Sequence, residues 1–119
     1  MSYRKGASLE YKVKAELEKQ GFFVIRSAGS HGLADLVAIK REPTNLPFPR
    51  YWTRVYFVQV SYRPKPLSEI KKLIELSINY GGEPMIVFTI EKDGRRRRVT
   101  LKGSEVLSYV EKKGLLVTI

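Results

Sequence analysis

The apolar positions of this chain switch between a helical and a strand-like period, and the switches mark out its elements. Leu9, Val13 and Leu17 recur at i, i+4 and i+8, which predicts a helix over 6–20. Gly21 is placed to stop it, and Ser8 caps a later start. FFVIR (22–26) is apolar and β-branched and reads as a strand. SAGSHG (27–32) is a small-residue loop, and LADLVAIK (33–40) a second strand. REPTNLPFPRYWT (41–53) holds three prolines and reads as a long loop. VYFVQVSY (55–62) is almost wholly apolar and predicts a central third strand. RPKPL turns the chain, and Ser68 caps a helix over 69–80 with Ile70, Leu73, Ile74, Ser77 and Ile78 on one face. Gly81-Gly82 ends it, PMIVFTI (84–90) is a fourth strand, and KDG turns into RRRRVTL. A short helix over 104–113 and a closing strand, LLVTI, complete the chain.

The link from the third strand through a helix to the fourth is long enough for a crossover, so those two strands are predicted parallel. The first three strands suit hairpin pairing. The expected fold is α/β, a mixed central sheet flanked by helices, in a single domain over residues 1–119. No internal repeat is visible, and the only biased segment is the arginine run at 95–98.

Composition narrows the function. At 43% hydrophobic residues the chain is too apolar for a disordered tail. No run of about 18 apolar residues is present to span a membrane. MSYRKGASLEYK has no apolar secretory core. The absence of cysteine removes disulfides, cysteine-zinc sites and thiol chemistry, and together these features predict a cytoplasmic protein. Asn and Gln number only four (Asn45, Asn79, Gln20 and Gln59), a lean towards a thermophile. Charge changes the picture most. Twenty-two Lys and Arg stand against 12 Asp and Glu, a formal +10, which predicts a polyanionic partner. No helix pairs a broad basic face with bulky apolar anchors, so nucleic acid is expected rather than a membrane surface.

A few polar residues occupy apolar contexts. Glu10 borders the Leu9–Val13–Leu17 stripe, where it either takes part in chemistry or pairs with Lys14 as a rim residue. Asp35 shares a strand face with Val37 and Ile39 unless it bonds backbone in the turn after Gly32. Gln59 and Ser61 interrupt the third strand at i and i+2, or mark its solvated end. Together, a helix-borne carboxylate, a strand aspartate and a polar-x-polar pair outline a metallonuclease site. Mg²⁺ takes one or two carboxylates plus water and substrate phosphate. A lysine beside the metal would normally complete the set. Arg95, Arg96, Arg97 and Arg98 put two side chains on each face of a strand and suit phosphate contacts. Tyr51 and Trp52 suit either base stacking or cover of the core edge.

RKGASLE (4–10), FFVIRSAGSHGLADLVAIK (22–40), VYFVQV (55–60) and IKKLIELSINYGGEPMIVFTI (70–90) resemble archaeal Holliday junction resolvases, of the PD-(D/E)XK nuclease superfamily. The resemblance implies a restriction-endonuclease-like fold. It also implies a homodimer that binds four-way DNA junctions and nicks two strands symmetrically with Mg²⁺ or Mn²⁺, in recombination and repair. By position, Glu10 matches the helix glutamate, Asp35 the metal-binding aspartate, and Arg26 and Ser30 the pair beside the scissile phosphate. The implied catalytic set is Glu10, Asp35, Ser30, Gln59 and Ser61, with metal at Glu10, Asp35 and Gln59. DNA contacts are expected from Arg4, Lys5, Arg26, Ser30, His31, Lys65 and the four arginines at 95–98. The chain departs from the family where (D/E)-x-K becomes Gln59-Val60-Ser61. Gln59 keeps an oxygen without the charge, and Ser61 cannot replace an ammonium. Tyr11 stands where the family often has a basic residue, and the 41–53 segment is longer than usual. Two readings stay open: a resolvase in which Lys65 or another cation reaches the metal, and a non-cleaving paralogue that binds junction or duplex DNA.

Overall fold

The computed structural model describes residues 2–27 and 34–118, the side chains of 2–6 and 115–118 excepted. Its elements run α1 (Ser2–Lys19), β1 (Phe23–Arg26), β2 (Leu36–Pro43), β3 (Tyr51–Val60), α2 (Leu67–Tyr80), β4 (Glu83–Lys92), β5 (Arg95–Lys102) and α3 (Ser104–Thr118). The strands form one sheet in the order β1-β2-β3-β4-β5. β1, β2 and β3 pair antiparallel, β3 and β4 parallel, and β4 and β5 antiparallel. The fold is therefore α/β with a mixed central sheet, and the crossover through α2 accounts for its parallel pair.

α1 buries the stripe that its periodicity defines, whereas α2 buries Ile70, Leu73 and Ser77 but leaves Ile78, expected on the same face, exposed. Leu9, Val13 and Leu17 of α1 pack on Val24, Leu36, Ala38, Val58 and Met85, closing one face of the sheet. Ile70 and Leu73 of α2, with Val106 of α3, pack on Ile86 and Phe88 on the other face. The turn after α2 needs both its glycines. Gly81 is left-handed at φ 72°, and a Cβ on Gly82 would lie 2.6 Å from the Phe57 ring.

Among the described residues, α2 and α3 touch only β3, β4, β5 and each other. The same face of β1 and β2 is left open. Register places Phe23 beside Ile39 and Val55, and Ile25 beside Val37 and Phe57, so six apolar side chains form a grid with no charge in it. Phe23 is 65% and Ile25 50% exposed.

Several boundaries differ from expectation. β2 begins at Leu36 rather than 33, so Asp35 precedes the strand instead of lying on it. Residues 41–53 are not one loop: β2 continues to Pro43 and β3 begins at Tyr51, so only 44–50 turn the chain. Pro43 is tolerated because it is the last strand residue, where no further ladder bond is needed. The second helix starts at Leu67 on Pro66, so Ser68 lies inside it and makes no cap. Of the final LLVTI, Ile119 lies outside the described residues and 115–118 are not a strand, because α3 runs on to Thr118. Its single break is Gly114, which costs a helix only about 1 kcal/mol relative to alanine and gives the chain no turn in which to reverse. α1 likewise begins at Ser2 rather than 6.

Candidate nuclease site

The ends of three strands and the flank of α1 meet at one edge of the sheet. Arg26 ends β1 opposite Leu36, Leu36 lies opposite Val58, and β3 ends at Val60. Asp35 immediately precedes β2. Its backbone N–H donates to the Val58 carbonyl at 2.7 Å, and Ser27 N–H donates to the Asp35 carbonyl at 2.9 Å. One carboxylate oxygen, Oδ2, accepts the Val60 N–H at 2.8 Å. Asp35 is thus fixed by both neighbouring strands before any ligand is considered.

Glu10 arrives from α1, one position from the buried Leu9. Arg26 Nε donates to Glu10 Oε1 at 2.9 Å. The same guanidinium lies 4.5 Å from the Tyr11 ring centroid and donates to the Tyr11 hydroxyl at 3.4 Å. Tyr11 therefore does not replace a basic residue in kind; it holds one. The Glu10 carboxyl titrates above its ordinary value, first because it is partly buried and next because Asp35 carries like charge nearby. Arg26 and Lys65 pull in the opposite direction without cancelling these effects. Two carboxylates within each other's field are what a divalent cation relieves, and the pair meets the one-or-two-carboxylate requirement of Mg²⁺. No cluster of three or more acidic, His or Cys ligands occurs among the described residues.

Gln59 is buried at 3% exposure, on the sheet face turned to α2. Its Nε2 donates to the Glu69 carbonyl at 3.3 Å, linking strand and helix. Ser61 Oγ donates to the Arg63 carbonyl at 2.6 Å and fastens the turn after β3. Lys65 follows that turn. Its ammonium lies 3.8 Å from Glu69 and its charge also reaches Glu10.

The β4–β5 hairpin brings its arginines to this same edge. Arg98 lies opposite Thr89 and Arg96 opposite Glu91. Arg96 and Arg98 line a shallow groove with Ser8, Lys12, Tyr62 and Thr89. Arg98 is bound to Glu16 and Arg96 stands over the Tyr62 ring. Arg95 and Arg97 alternate onto the opposite face. Lys12 was absent from the sequence-derived set. Its signal was the exposed face of α1, two positions from Glu10, which periodicity alone does not separate from an ordinary solvated lysine. Ser30 and His31 lie outside the described residues, as do the side chains of Arg4 and Lys5.

The molecule is thus an α/β protein in which Glu10 of α1 and Asp35, just before β2, lie within each other's field beside a basic groove. The family described as "Archaeal holliday junction resolvase (hjc)" matches residues 1–114. Crossover junction endodeoxyribonuclease Hjc of Methanocaldococcus jannaschii is 40% identical over 84 residues, 71% of this chain and 58% of that protein. The chain matches less than two thirds of that relative's length. A 1.6 Å structure of Hjc from Archaeoglobus fulgidus, a Holliday junction resolvase from an archaeal hyperthermophile, aligns at TM-score 0.44 and 20% identity over 75% of this chain and 73% of that one. The chain belongs to the archaeal Holliday junction resolvase family.

Proposed function

We propose that this protein is a metal-dependent, structure-specific endodeoxyribonuclease that binds four-way DNA junctions as a homodimer. The observation that carries the reading is the Glu10–Asp35 pair, held at one sheet edge in a chain matched by the resolvase family over residues 1–114.

Glu10 and Asp35 would hold the ion, which when bound supplies Lewis-acid polarisation of the phosphodiester and a lowered pKa for a bound water. The rest falls to the chain's own groups. The Val60 N–H fixes the Asp35 carboxylate, so little ordering remains to be done when phosphate arrives. Arg26, itself held by Tyr11, orients Glu10. Among the described residues Lys65 is the cation, besides Arg26, whose charge reaches Glu10, and it stands in for the missing strand lysine. Arg96 and Lys12 line the groove that takes the neighbouring backbone.

The uncharged grid around Phe23 and Ile25 is where a second copy packs. Away from it the +10 charge of each chain would oppose association. A dimer gives two sites for two opposed strands.

A non-cleaving, junction-binding protein is the second reading. It is favoured by the side chains at the (D/E)-x-K positions, which make local bonds to the Glu69 and Arg63 carbonyls. Incubation of a labelled four-way junction with Mg²⁺ or Mn²⁺ separates the two: paired nicks support the nuclease, and a shifted but uncut junction supports the binder.

A further inference from the structure

The β2–β3 hairpin outruns the sheet that supports it. β1 pairs with β2 only as far as Ile39, and β4 pairs with β3 only from Tyr56. Residues 40–54 are therefore a two-stranded arm with no third strand on either side. An isolated hairpin is marginal in water, yet this one is fastened throughout. Arg54 ties Glu42 to Glu83 at its base, and Arg41 stacks 4.1 Å from the Tyr51 ring centroid. At the tip, Thr44 N–H donates to the Arg50 carbonyl at 2.8 Å, and Thr44 Oγ1 accepts the Leu46 N–H at 3.1 Å and donates to the Pro49 carbonyl at 2.5 Å.

What this ordered arm presents is apolar and basic at once. Leu46, Tyr51 and Trp52 are each about half exposed, and Phe48, flanked by Pro47 and Pro49, is 86% exposed. Within 40–54, Lys40, Arg41, Arg50 and Arg54 stand against Glu42 alone, four positive charges to one negative. A basic ribbon with an apolar tip has the chemistry of proteins that lie in a DNA groove and insert a wedge between base steps.

We propose that the arm is a DNA-contacting ribbon, with Phe48 as a wedge that stacks on a base step of the duplex flanking the candidate cleavage site. It rests on the reading of this protein as a DNA binder. Pro43 lies eight positions beyond Asp35, so at about 3.3 Å per residue the end of β2 stands ~26 Å from the site with the tip beyond it, more than half a helical turn along a duplex. The arm acts on affinity and on the shape of the DNA, not on the cleavage step. Its net positive charge matches a polyanion and disfavours pairing with another copy of itself.

The test compares the wild-type chain with Phe48→Ala and Phe48→Trp on a four-way junction carrying 2-aminopurine in one arm. Phe48 is on the surface, so thermal unfolding should be the same for all three. Wild type and Phe48→Trp should raise 2-aminopurine fluorescence as the base unstacks. Phe48→Ala should bind about 10- to 100-fold more weakly, without that rise. Equal affinity and equal fluorescence for wild type and Phe48→Ala would overturn the arm proposal and leave the DNA-binding reading standing. Wild type that binds no DNA would overturn both. Binding to vesicles containing anionic phosphatidylserine that Phe48→Ala abolishes, with junction affinity unchanged, would assign the arm to a membrane surface and overturn the proposal.

Discussion

Arg26 and Glu10 form a part-buried ion pair at 2.9 Å, with side chains 14% and 16% exposed, and it does not bring the Glu10 carboxyl down to its ordinary pKa. Burial and the charge of Asp35 outweigh it. A carboxyl raised in the folded state leaves the fold most stable below the unfolded value and costs stability as pH rises through the folded value. Glu10→Gln should therefore raise the melting temperature at pH 7, and the gain should vanish as pH falls below the unfolded carboxylate range, where Glu10 is neutral anyway. Mg²⁺ should raise the melting temperature of wild type more than that of Glu10→Gln. Calorimetric scans at pH 3.5 and pH 7, with and without Mg²⁺, check both statements.

Asp35 has a structural bond as well as a place beside Glu10. Asp35→Ala leaves the Val60 N–H without its acceptor and should cost about 1–3 kcal/mol. Asp35→Asn retains an oxygen for that N–H and should cost much less, while losing the charge a metal needs. Urea unfolding of the two variants measures the difference; equal losses would mean that the bond contributes nothing.

The α/β class and the parallel crossover were legible because Ile70, Leu73 and Ser77 keep a helical period between two apolar strands. Residue pattern alone left Glu10 open between a site acid and a rim partner of Lys14, and Asp35 open between a site acid and a turn residue; the resemblance at RKGASLE and RSAGSHGLAD is what singles them out. The β2–β3 arm was not. Its prolines signal a turn and mask the strand-favouring Tyr51, Trp52 and Thr53, which pair with Pro43, Glu42 and Arg41. The helix through 115–118 was missed because β-branched residues such as Val117 and Thr118 favour strands locally while the helix simply continues past Gly114. The engagement of Arg26 with Glu10 and Tyr11 was also hidden, since it joins residues 15 and 16 positions apart.

Restoring the family pattern should increase cleavage. Gln59→Glu with Ser61→Lys adds an acid and an ammonium at the end of β3 and should raise the junction-nicking rate at least about tenfold, judging by the roughly 10²–10³-fold effect of one well-placed electrostatic group. Because Gln59 is buried, the double variant should be less stable than wild type without metal and recover with Mg²⁺. A single-turnover assay reads the rate. No gain would mean that β3 does not face the scissile phosphate.

Lys65 carries the compensating charge in this account. Lys65→Ala should lower nicking on the order of 100-fold and raise the Glu10 pKa further, because a cation that favours its charged form has gone. Carbon-13 titration of the Glu10 carboxyl reads the second effect independently of activity.

Association should depend on the open face of β1 and β2. Ile25 is half exposed, so Ile25→Arg should leave the melting temperature near wild type while raising the dimer dissociation constant at least about tenfold, or ~1.4 kcal/mol. Sedimentation velocity over a concentration series measures it. A wild-type chain that stays monomeric at 100 µM would remove the dimer from the account.

The most direct test of the central claim is cleavage of an end-labelled four-way junction in Mg²⁺ by wild type and Asp35→Asn, with a binding gel run beside it. The account predicts paired nicks in opposed strands for wild type, and a shifted but uncut junction for Asp35→Asn. Nicks that persist in Asp35→Asn, or a wild-type chain that leaves the junction uncut, shifted or not, would contradict the nuclease reading.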